Sequence, residues 1–132
     1  MKILIAEDDF ITRRLLKIIL SQYGECDIAV DGKEAVFAFE LALSEHEPYD
    51  LICLDIVMPE LDGQQALKQI REIENKAGIG GLDGVKILII TAMKDKKNIV
   101  EAFHTGCEAY IVKPFDKKSI ATELEKIGLI KK

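Results

Sequence analysis

Hydrophobic residues along this chain alternate between two patterns. Five short runs are apolar almost throughout, as is typical of strands covered on both faces by helices: residues 2–6, 26–30, 49–54, 85–90 and 109–112. After each run, apolar residues recur at helical spacing. The alternation predicts an α/β fold in which a strand and a helix are repeated five times, (βα)5. Right-handed crossovers would then give a doubly wound parallel five-stranded sheet.

Residues suited to helix ends mark where the predicted helices begin and stop. Asp31, Asp62 and Asp116 are candidate N-caps, and Gly24 and Gly106 are candidate C-caps. The corresponding helices are expected from Asp31 to about Ser44, from Asp62 to about Asn75, from Lys97 to Thr105 and after Asp116. Two helices have a recognisable apolar stripe: Ile11, Leu15, Ile18 and Ile19 in the first, and Ile120, Leu124 and Ile127 in the last.

Composition narrows the class of protein. A chain of 132 residues with 48% hydrophobic content predicts one domain over residues 1–132. A net charge of -5 argues against direct nucleic-acid binding. No apolar run approaches the ~20 residues of a membrane span, and "MKILIAEDD" turns acidic too early for a signal peptide, so the cytoplasm is the expected location. The three cysteines are widely spaced without a CxxC pair, which favours reduced thiols over disulfides or zinc.

Two connections stand out by length or composition. The Gly-rich stretch 75–84 lies before a predicted strand, whereas a phosphate-binding loop should follow a strand and open a helix. It is therefore interpreted as a mobile connector. Residues 43–50 form a second long connection, and either segment is a candidate partner-specific loop.

Reactive side chains follow four of the five predicted strands: Glu7, Asp8 and Asp9 after the first, Asp55 after the third, Thr91 at the fourth and Lys113 at the fifth. Each has an ordinary explanation when taken alone, as a solvated turn, a cap, a strand residue or a surface cation. Their convergence is the informative feature, because the carboxyl ends of parallel strands meet at the edge where such sheets bind ligands.

This set of groups suits a narrow chemistry. Carboxylates packed together repel one another unless one is protonated or a cation lies among them, and Mg²⁺ prefers such oxygen ligands. Lys113 could neutralise a phosphoryl oxygen, and Thr91 could donate a hydroxyl hydrogen bond. A carboxylate nucleophile in these surroundings is suited to forming an aspartyl phosphate.

Four segments together carry a family resemblance: "ILIAEDD", "LICLDIVMPELDG", "ILIITA" and "AYIVKPF". In order and across nearly the whole chain, they resemble the signatures of the response-regulator receiver domain of two-component signal transduction. The resemblance implies a flavodoxin-like sheet with strand order 2-1-3-4-5. That order is a known property of the family, for which a chemotaxis protein is a standard example, and the spacing here does not establish it.

The resemblance assigns roles to individual residues. Asp55 matches the phosphoacceptor, and Glu7 and Asp8 match the metal-binding acidic pair, which leaves Asp9 as an extra acid. Asp8 and Asp55 are expected to bind Mg²⁺ directly and Glu7 through water. The main-chain carbonyl of Val57 is expected to complete the protein ligands.

Further roles concern the phosphoryl group and the response to it. Thr91, the Ala92 backbone N–H and Lys113 are expected to contact phosphoryl oxygens, and the Lys113–Pro114 bond resembles the family's cis peptide. Tyr110 is expected to move from exposed to buried on phosphorylation, as part of a population shift that changes the face of helix 4, strand 5 and helix 5. That face would bind a downstream protein or a second copy of the chain.

The implied function is a stand-alone receiver that takes a phosphoryl group from a sensor histidine kinase or phosphotransfer protein. It would not be an enzyme, although it assists its own phosphorylation and slow dephosphorylation. Slow dephosphorylation is predicted because Val57 and Met93, each two residues beyond a site residue, lack a side chain that could orient water. Two alternatives are an aspartate-nucleophile phosphohydrolase, which typically has an acid at the position of Val57, and a phosphorylation-independent interaction module of the same fold.

Overall fold

A computed structural model of the protein describes residues 1–131. One parallel sheet contains five strands in the order β2-β1-β3-β4-β5, which confirms the predicted class and strand order. The strands are β1 Lys2–Ala6, β2 Glu25–Ala29, β3 Leu51–Leu54, β4 Lys86–Thr91 and β5 Ala109–Val112. The edge strands are therefore β2 and β5, and the predicted boundaries hold to within two residues.

Five α-helices alternate with these strands: α1 Phe10–Leu20, α2 Gly32–Ser44, α3 Gly63–Lys76, α4 Lys96–Thr105 and α5 Lys117–Lys126. The side chains of Asp31, Asp62 and Asp116 each accept a backbone N–H from three residues further on, so the three predicted N-caps are confirmed. Gly106 is the C-cap of α4, with φ at 127°, a backbone conformation that favours glycine. A single 3₁₀ turn, Gly81–Asp83, lies in the Gly-rich connection.

The two faces of the sheet carry separate hydrophobic layers. Helices α1 and α5 cover one face, where Leu16 and Leu124 pack against alternate strand residues such as Ile5. Helices α2, α3 and α4 cover the other, where Phe39 and Ile70 belong to the layer. Because both faces are covered, successive residues of the central strands are buried, which explains the uninterrupted apolar runs.

The apolar stripe predicted to bury α1 against the sheet is wrong for three of its four residues. Ile11, Leu15 and Ile18 are 76%, 44% and 66% exposed, and only Ile19 of the predicted set is buried. The face on the sheet is instead the neighbouring set Leu16, Ile19 and Leu20. Both sets recur at helical spacing, so periodicity alone could not decide which of them would face inward.

The predicted C-cap at Gly24 is also wrong. Helix α1 ends at Leu20 with Ser21 as its C-cap, and the chain turns before it reaches Gly24. Gly24 is needed for a different reason, because a Cβ there would lie 2.0 Å from the carbonyl oxygen of Met1. The glycine therefore allows the start of β2 to pass close to the first residue of the chain.

All three cysteines are free, with Cys53 and Cys107 buried and Cys26 half-buried. Burial raises the pKa of the Cys107 thiol to about 12. Within residues 1–131, no helix has the length and apolar character needed to cross a membrane.

Candidate functional site

Acidic side chains from two neighbouring strands meet at the carboxyl edge of the sheet. Glu7 and Asp8 follow β1, and Asp55 follows β3, whose backbone is tied to β1 by the Asp55 N–H to Ala6 carbonyl bond of 3.1 Å. Carboxylate oxygens from Glu7, Asp8 and Asp55 lie within 4.8 Å of one another. Glu7 and Asp55 are buried, at 1% and 5% exposure, while Asp8 is exposed. The predicted convergence of these carboxylates is present in the structure.

Lys113 brings a cation to the same place from the end of β5. Its Nζ donates to Glu7 Oε1 and to Asp55 Oδ2, both at 2.8 Å. Since β4 separates β5 from β3 in the sheet, the lysine reaches across one strand to make these contacts. The following Lys113–Pro114 peptide bond is cis.

The charges at this edge do not balance. Burial raises the pKa of Glu7 to about 7, and the charge of Asp55 adds to the rise, although hydrogen bonds from Lys113 and from the Asp9 N–H oppose it. Burial alone would lower the pKa of Lys113, but the hydrogen bonds to Asp55 and Glu7 outweigh burial and raise it. Lys113 pairs with Glu7 and Asp55, and Asp8 adds a third carboxylate, so the cluster has more carboxylates than cations.

The third acid after β1 is used differently from the other two. Asp9 is the N-cap of α1, where its carboxylate accepts the Thr12 N–H at 2.9 Å and the Thr12 hydroxyl at 2.6 Å. These bonds hold the pKa of the Asp9 carboxyl below its ordinary value. The carboxylate of Asp9 is thus committed to the helix end and lies outside the cluster of Glu7, Asp8 and Asp55.

Sequence reasoning gave no role to Arg13. Its Nη1 donates to the main-chain carbonyls of Glu7 at 3.1 Å and Asp8 at 3.3 Å, so one guanidinium fixes the turn that carries both acids. Its Cζ also lies 5.5 Å from the centroid of the exposed Phe10 ring. The contact joins the first turn of α1 to the end of β1, and the sequence pattern does not indicate it.

The turn after β3 fits closely around Asp55. Asp55 Oδ1 accepts the Val57 N–H at 3.2 Å, and the Gly63 N–H donates to the Ile56 carbonyl at 2.8 Å. A Cβ at Gly63 would lie 2.1 Å from the Asp55 carbonyl oxygen, so only glycine allows α3 to begin against this backbone. The Val57 side chain is 55% exposed beside the turn.

The predicted phosphoryl contacts and the predicted switch residue meet at the loop after β4. Thr91 is fully buried and its Oγ1 accepts the Met93 N–H at 3.4 Å, whereas Ala92 is exposed. Tyr110, half-buried on β5, donates its hydroxyl to the Met93 carbonyl at 2.6 Å. The Phe103 ring of α4 stacks on Tyr110 with centroids 6.5 Å apart. Thr91 and Tyr110 therefore bind the same loop residue from two strands.

The donor set suits a hard divalent cation. Hard cations such as Mg²⁺ take carboxylate and carbonyl oxygens, and the cluster supplies carboxylates from Glu7, Asp8 and Asp55. These three carboxylates meet one ammonium, that of Lys113, so a further cation can be accommodated among them. The residues present therefore fit a magnesium ion.

Comparison with known proteins agrees with this geometry. Residues 3–125 match the family described as "Response regulator receiver domain". The chemotaxis protein CheY of Thermotoga maritima is 32% identical over 129 residues, covering 96% of this chain and 97% of that protein. The chain spans about half the length of some other curated relatives, including 47% of a probable transcriptional regulator, ycf27, from Cyanophora paradoxa.

Solved structures give the same result. The CheX-CheY complex with BeF3 and magnesium from Borrelia burgdorferi contains a chain that aligns with a TM-score of 0.82 at 26% identity, covering 96% of this chain and 88% of that one. The receiver domain of the Pseudomonas aeruginosa sensor histidine kinase PA1611, with magnesium coordinated in its active-site cleft, aligns with a TM-score of 0.77 at 27% identity. That alignment covers 96% of this chain and 97% of the other.

Proposed function

The chain belongs to the response regulator receiver domain family, and from that premise we propose that it accepts a phosphoryl group on Asp55. The donor is a sensor histidine kinase or a phosphotransfer protein, and the product acts as a signal to a downstream protein. One observation carries this proposal: the buried Asp55 carboxylate lies 2.8 Å from Lys113 Nζ and within 4.8 Å of the carboxylates of Glu7 and Asp8.

In the proposed reaction a carboxylate oxygen of Asp55 attacks phosphorus. The O–P bond forms as the N–P bond of the donor phosphohistidine breaks, and the imidazole nitrogen keeps the electron pair. Lys113 holds Asp55 Oδ2 and the Val57 N–H holds Asp55 Oδ1, which fixes the nucleophile before transfer. The protein mainly positions the groups and screens their charge.

Magnesium is the proposed cofactor. Asp8, Asp55 and the Val57 carbonyl would hold it directly and Glu7 through water, and it would neutralise charge on the phosphoryl oxygens when bound. Lys113 is proposed to pair with another phosphoryl oxygen, for which its ammonium has a third N–H beyond the two directed to Glu7 and Asp55. The three carboxylates beside one ammonium support the magnesium role.

The response is proposed to pass through the loop after β4. The hydroxyl of Thr91 and the N–H of Ala92 would contact the phosphoryl group, which draws the loop toward Asp55. Tyr110 would follow, since its hydroxyl bonds to Met93 in this loop. The population shifts to a state in which the face of α4, β5 and α5 binds a downstream protein or a second copy of the chain.

The phosphodonor is proposed to dock on α1. Phe10, Ile11, Leu15 and Ile18 are exposed apolar residues, and the last three recur along one side of the helix. This α1 apolar face begins two residues after Asp8, so a partner bound to it is brought next to Asp55. Replacing Ile18 with Lys should slow transfer from a protein donor and leave labelling by acetyl phosphate unchanged.

The test of the phosphoacceptor is intact-mass measurement after incubation with acetyl phosphate and Mg²⁺. Wild type should gain one phosphoryl group, and Asp55→Asn should gain none. Asp83→Asn, which alters an exposed aspartate in the 3₁₀ turn, is the matched control and should be labelled like wild type. An unmodified wild type would contradict the proposal, and steady turnover of a phosphate ester would favour the phosphohydrolase.

A further inference from the structure

Helix α4 is attached to the rest of the protein with little apolar burial. Of its ten residues, Ala102 alone is buried, and Val100 and Phe103 are 55% and 47% exposed. A groove with a volume of about 460 Å³ lies between α3 and α4, lined mostly by polar side chains. The position of α4 therefore depends strongly on a few polar contacts at its ends.

The carboxyl end of α4 is fixed by Arg71 of α3. The guanidinium donates to the Gly106 carbonyl from Nε at 3.1 Å and from Nη2 at 2.7 Å. The same guanidinium is held by Glu74 at 2.6 Å and by Glu108 at 2.9 Å. A group with this many charged partners in a part-buried position is costly to move.

The amino end of α4 is held by Gln64, which lies seven residues before Arg71 on the same helix. Gln64 Nε2 donates to the main-chain carbonyl of Asn98 at 2.9 Å and to Asn98 Oδ1 at 3.2 Å. Asn98 in turn bonds to Asp95, the N-cap of α4. Residues seven apart lie on one side of a helix, so Gln64 and Arg71 reach the two ends of α4 from the same side of α3.

The two contacts differ in how well they are satisfied. Gln64 is 8% exposed, and its Oε1 is buried without a hydrogen-bond partner among the described residues. A buried amide with one unsatisfied oxygen gains less from its site than a fully bonded group does. The Gln64 contact is therefore cheaper to break than the Arg71 contact.

Gln64 also lies next to the reacting centre. It follows Gly63, which packs directly against the Asp55 backbone. The amino end of α4 follows the loop that carries Thr91 and Met93. A displacement of the turn after β3 or of the loop after β4 is therefore expected to reach the amino end of α4, at Gln64, before the carboxyl end, at Arg71.

We propose that Gln64 is a positioning residue for the signalling face: it holds the amino end of α4 reversibly, while Arg71 fixes the carboxyl end as a pivot. Release or repositioning at Gln64 lets α4 rotate about Gly106 and changes the surface formed with β5 and α5. The trigger rests on the proposed function, since phosphorylation at Asp55 starts the movement. The asymmetry between the two ends does not depend on phosphorylation.

Amide hydrogen exchange on the full chain tests this asymmetry without any phosphodonor. In Gln64→Leu, the amides of residues 99–102 should exchange about fivefold faster, the factor expected for loss of one ordinary hydrogen bond. The amides of Gly106 and Cys107 should be unchanged. Arg71→Lys should give the opposite pattern, and Gln69→Leu, an exposed glutamine on the same helix, should change neither end. Equal acceleration at both ends in Gln64→Leu, or none, would overturn the proposal.

A second measurement adds Mg²⁺ and beryllium fluoride, a phosphoryl mimic. In wild type the exchange of residues 99–102 should change on addition, and in Gln64→Leu that change should be reduced at least threefold. If the mimic binds and both proteins respond equally, the role of Gln64 is wrong. If the mimic does not bind wild type at all, the proposed phosphoacceptor function fails, while the exchange pattern without the mimic still decides the asymmetry.

Discussion

Two charged clusters lie at opposite edges of the sheet, and they differ in how fully their acidic side chains are paired. At the carboxyl edge, the carboxylates of Glu7, Asp8 and Asp55 lie together, and the ammonium of Lys113 pairs with Glu7 and Asp55. At the amino edge of β4 and β5, Arg71 pairs with Glu74 and Glu108, and these two acids also accept backbone N–H groups from Val85 and Ile87 at 2.7 Å each. We call the second set the Arg71 cluster.

The difference separates structural from functional charge. In the Arg71 cluster each acid has both a cation and a backbone donor, so the cluster fastens α3 to the starts of two strands. At the carboxyl edge, Lys113 pairs with Glu7 and Asp55, and Asp8 adds a third carboxylate, so the carboxylates outnumber the cation. A divalent cation would complete the carboxyl-edge cluster and has nothing to add to the Arg71 cluster.

The largest expected effect is on the Arg71 cluster. Glu74→Ala removes a buried carboxylate and leaves Arg71 and the Val85 N–H without this partner, which should cost about 3 kcal/mol in the free energy of unfolding. Urea denaturation measures it, with the exposed Glu72→Ala on the same helix as the control. A loss below about 1 kcal/mol would contradict the view that the Arg71 cluster stabilises the fold.

Magnesium should have the next largest effect, and only at the carboxyl edge. A ligand that binds the folded state alone stabilises it by about 2.7 kcal/mol at 100 times its Kd. Thermal unfolding with and without MgCl₂ should show this gain in wild type and in Glu74→Ala. Asp8→Asn should lose most of it, and equal stabilisation of Asp8→Asn would argue against the proposed ion site.

A smaller effect is expected in the pH dependence of stability, through Glu7 at the carboxyl edge. Because the pKa of Glu7 is raised from 4.5 to about 7, the folded protein binds this proton more tightly than the unfolded chain does. The contribution of Glu7 is fully present below about pH 4.5 and is lost as the pH rises through about 7. In EDTA, Glu7→Gln should flatten the decline between pH 5 and pH 8 by about 1 to 2 kcal/mol. Identical slopes for wild type and Glu7→Gln in urea titrations would refute this.

The smallest effect on stability is expected at Val57. Its side chain is 55% exposed beside Asp55, so Val57→Asn should alter the free energy of unfolding by less than about 0.5 kcal/mol. An amide there can orient water, so decay of the phosphorylated protein should be about tenfold faster, equivalent to 1.4 kcal/mol in the barrier. Decay is followed by intact mass after removal of acetyl phosphate. A wild-type half-life of seconds would contradict the predicted slow dephosphorylation.

Much of the fold could be predicted from the sequence because its signals are local. Asp31, Asp62 and Asp116 cap their helices through residues three positions away. The strands stand out as apolar runs because helices cover both faces of the sheet. The face of α1 could not be predicted, because its two apolar stripes have the same period. Which stripe is buried depends on how the helix lies on β1 and β2, and that information is not in the helix.

The candidate site could be predicted only where its residues have a recognisable place in the sequence pattern. Glu7, Asp8, Asp55 and Lys113 each follow a strand, so a parallel sheet brings them to one edge. Arg13 and Gln64 bind main-chain carbonyls, which carry no residue-specific signal in a sequence. Arg71 has a local pair in Glu74, three residues on, but its other partners, Gly106 and Glu108, follow more than thirty residues later.

The double ion pair of Lys113 has a consequence for the ionic medium. The ammonium is a monovalent cation attached to the protein, so its effective concentration at Glu7 and Asp55 is set by the fold rather than by the solution. Free potassium or sodium must compete with that tethered charge, and neither has an advantage in valence. A divalent ion does, so we expect magnesium to bind at this edge in preference to potassium or sodium.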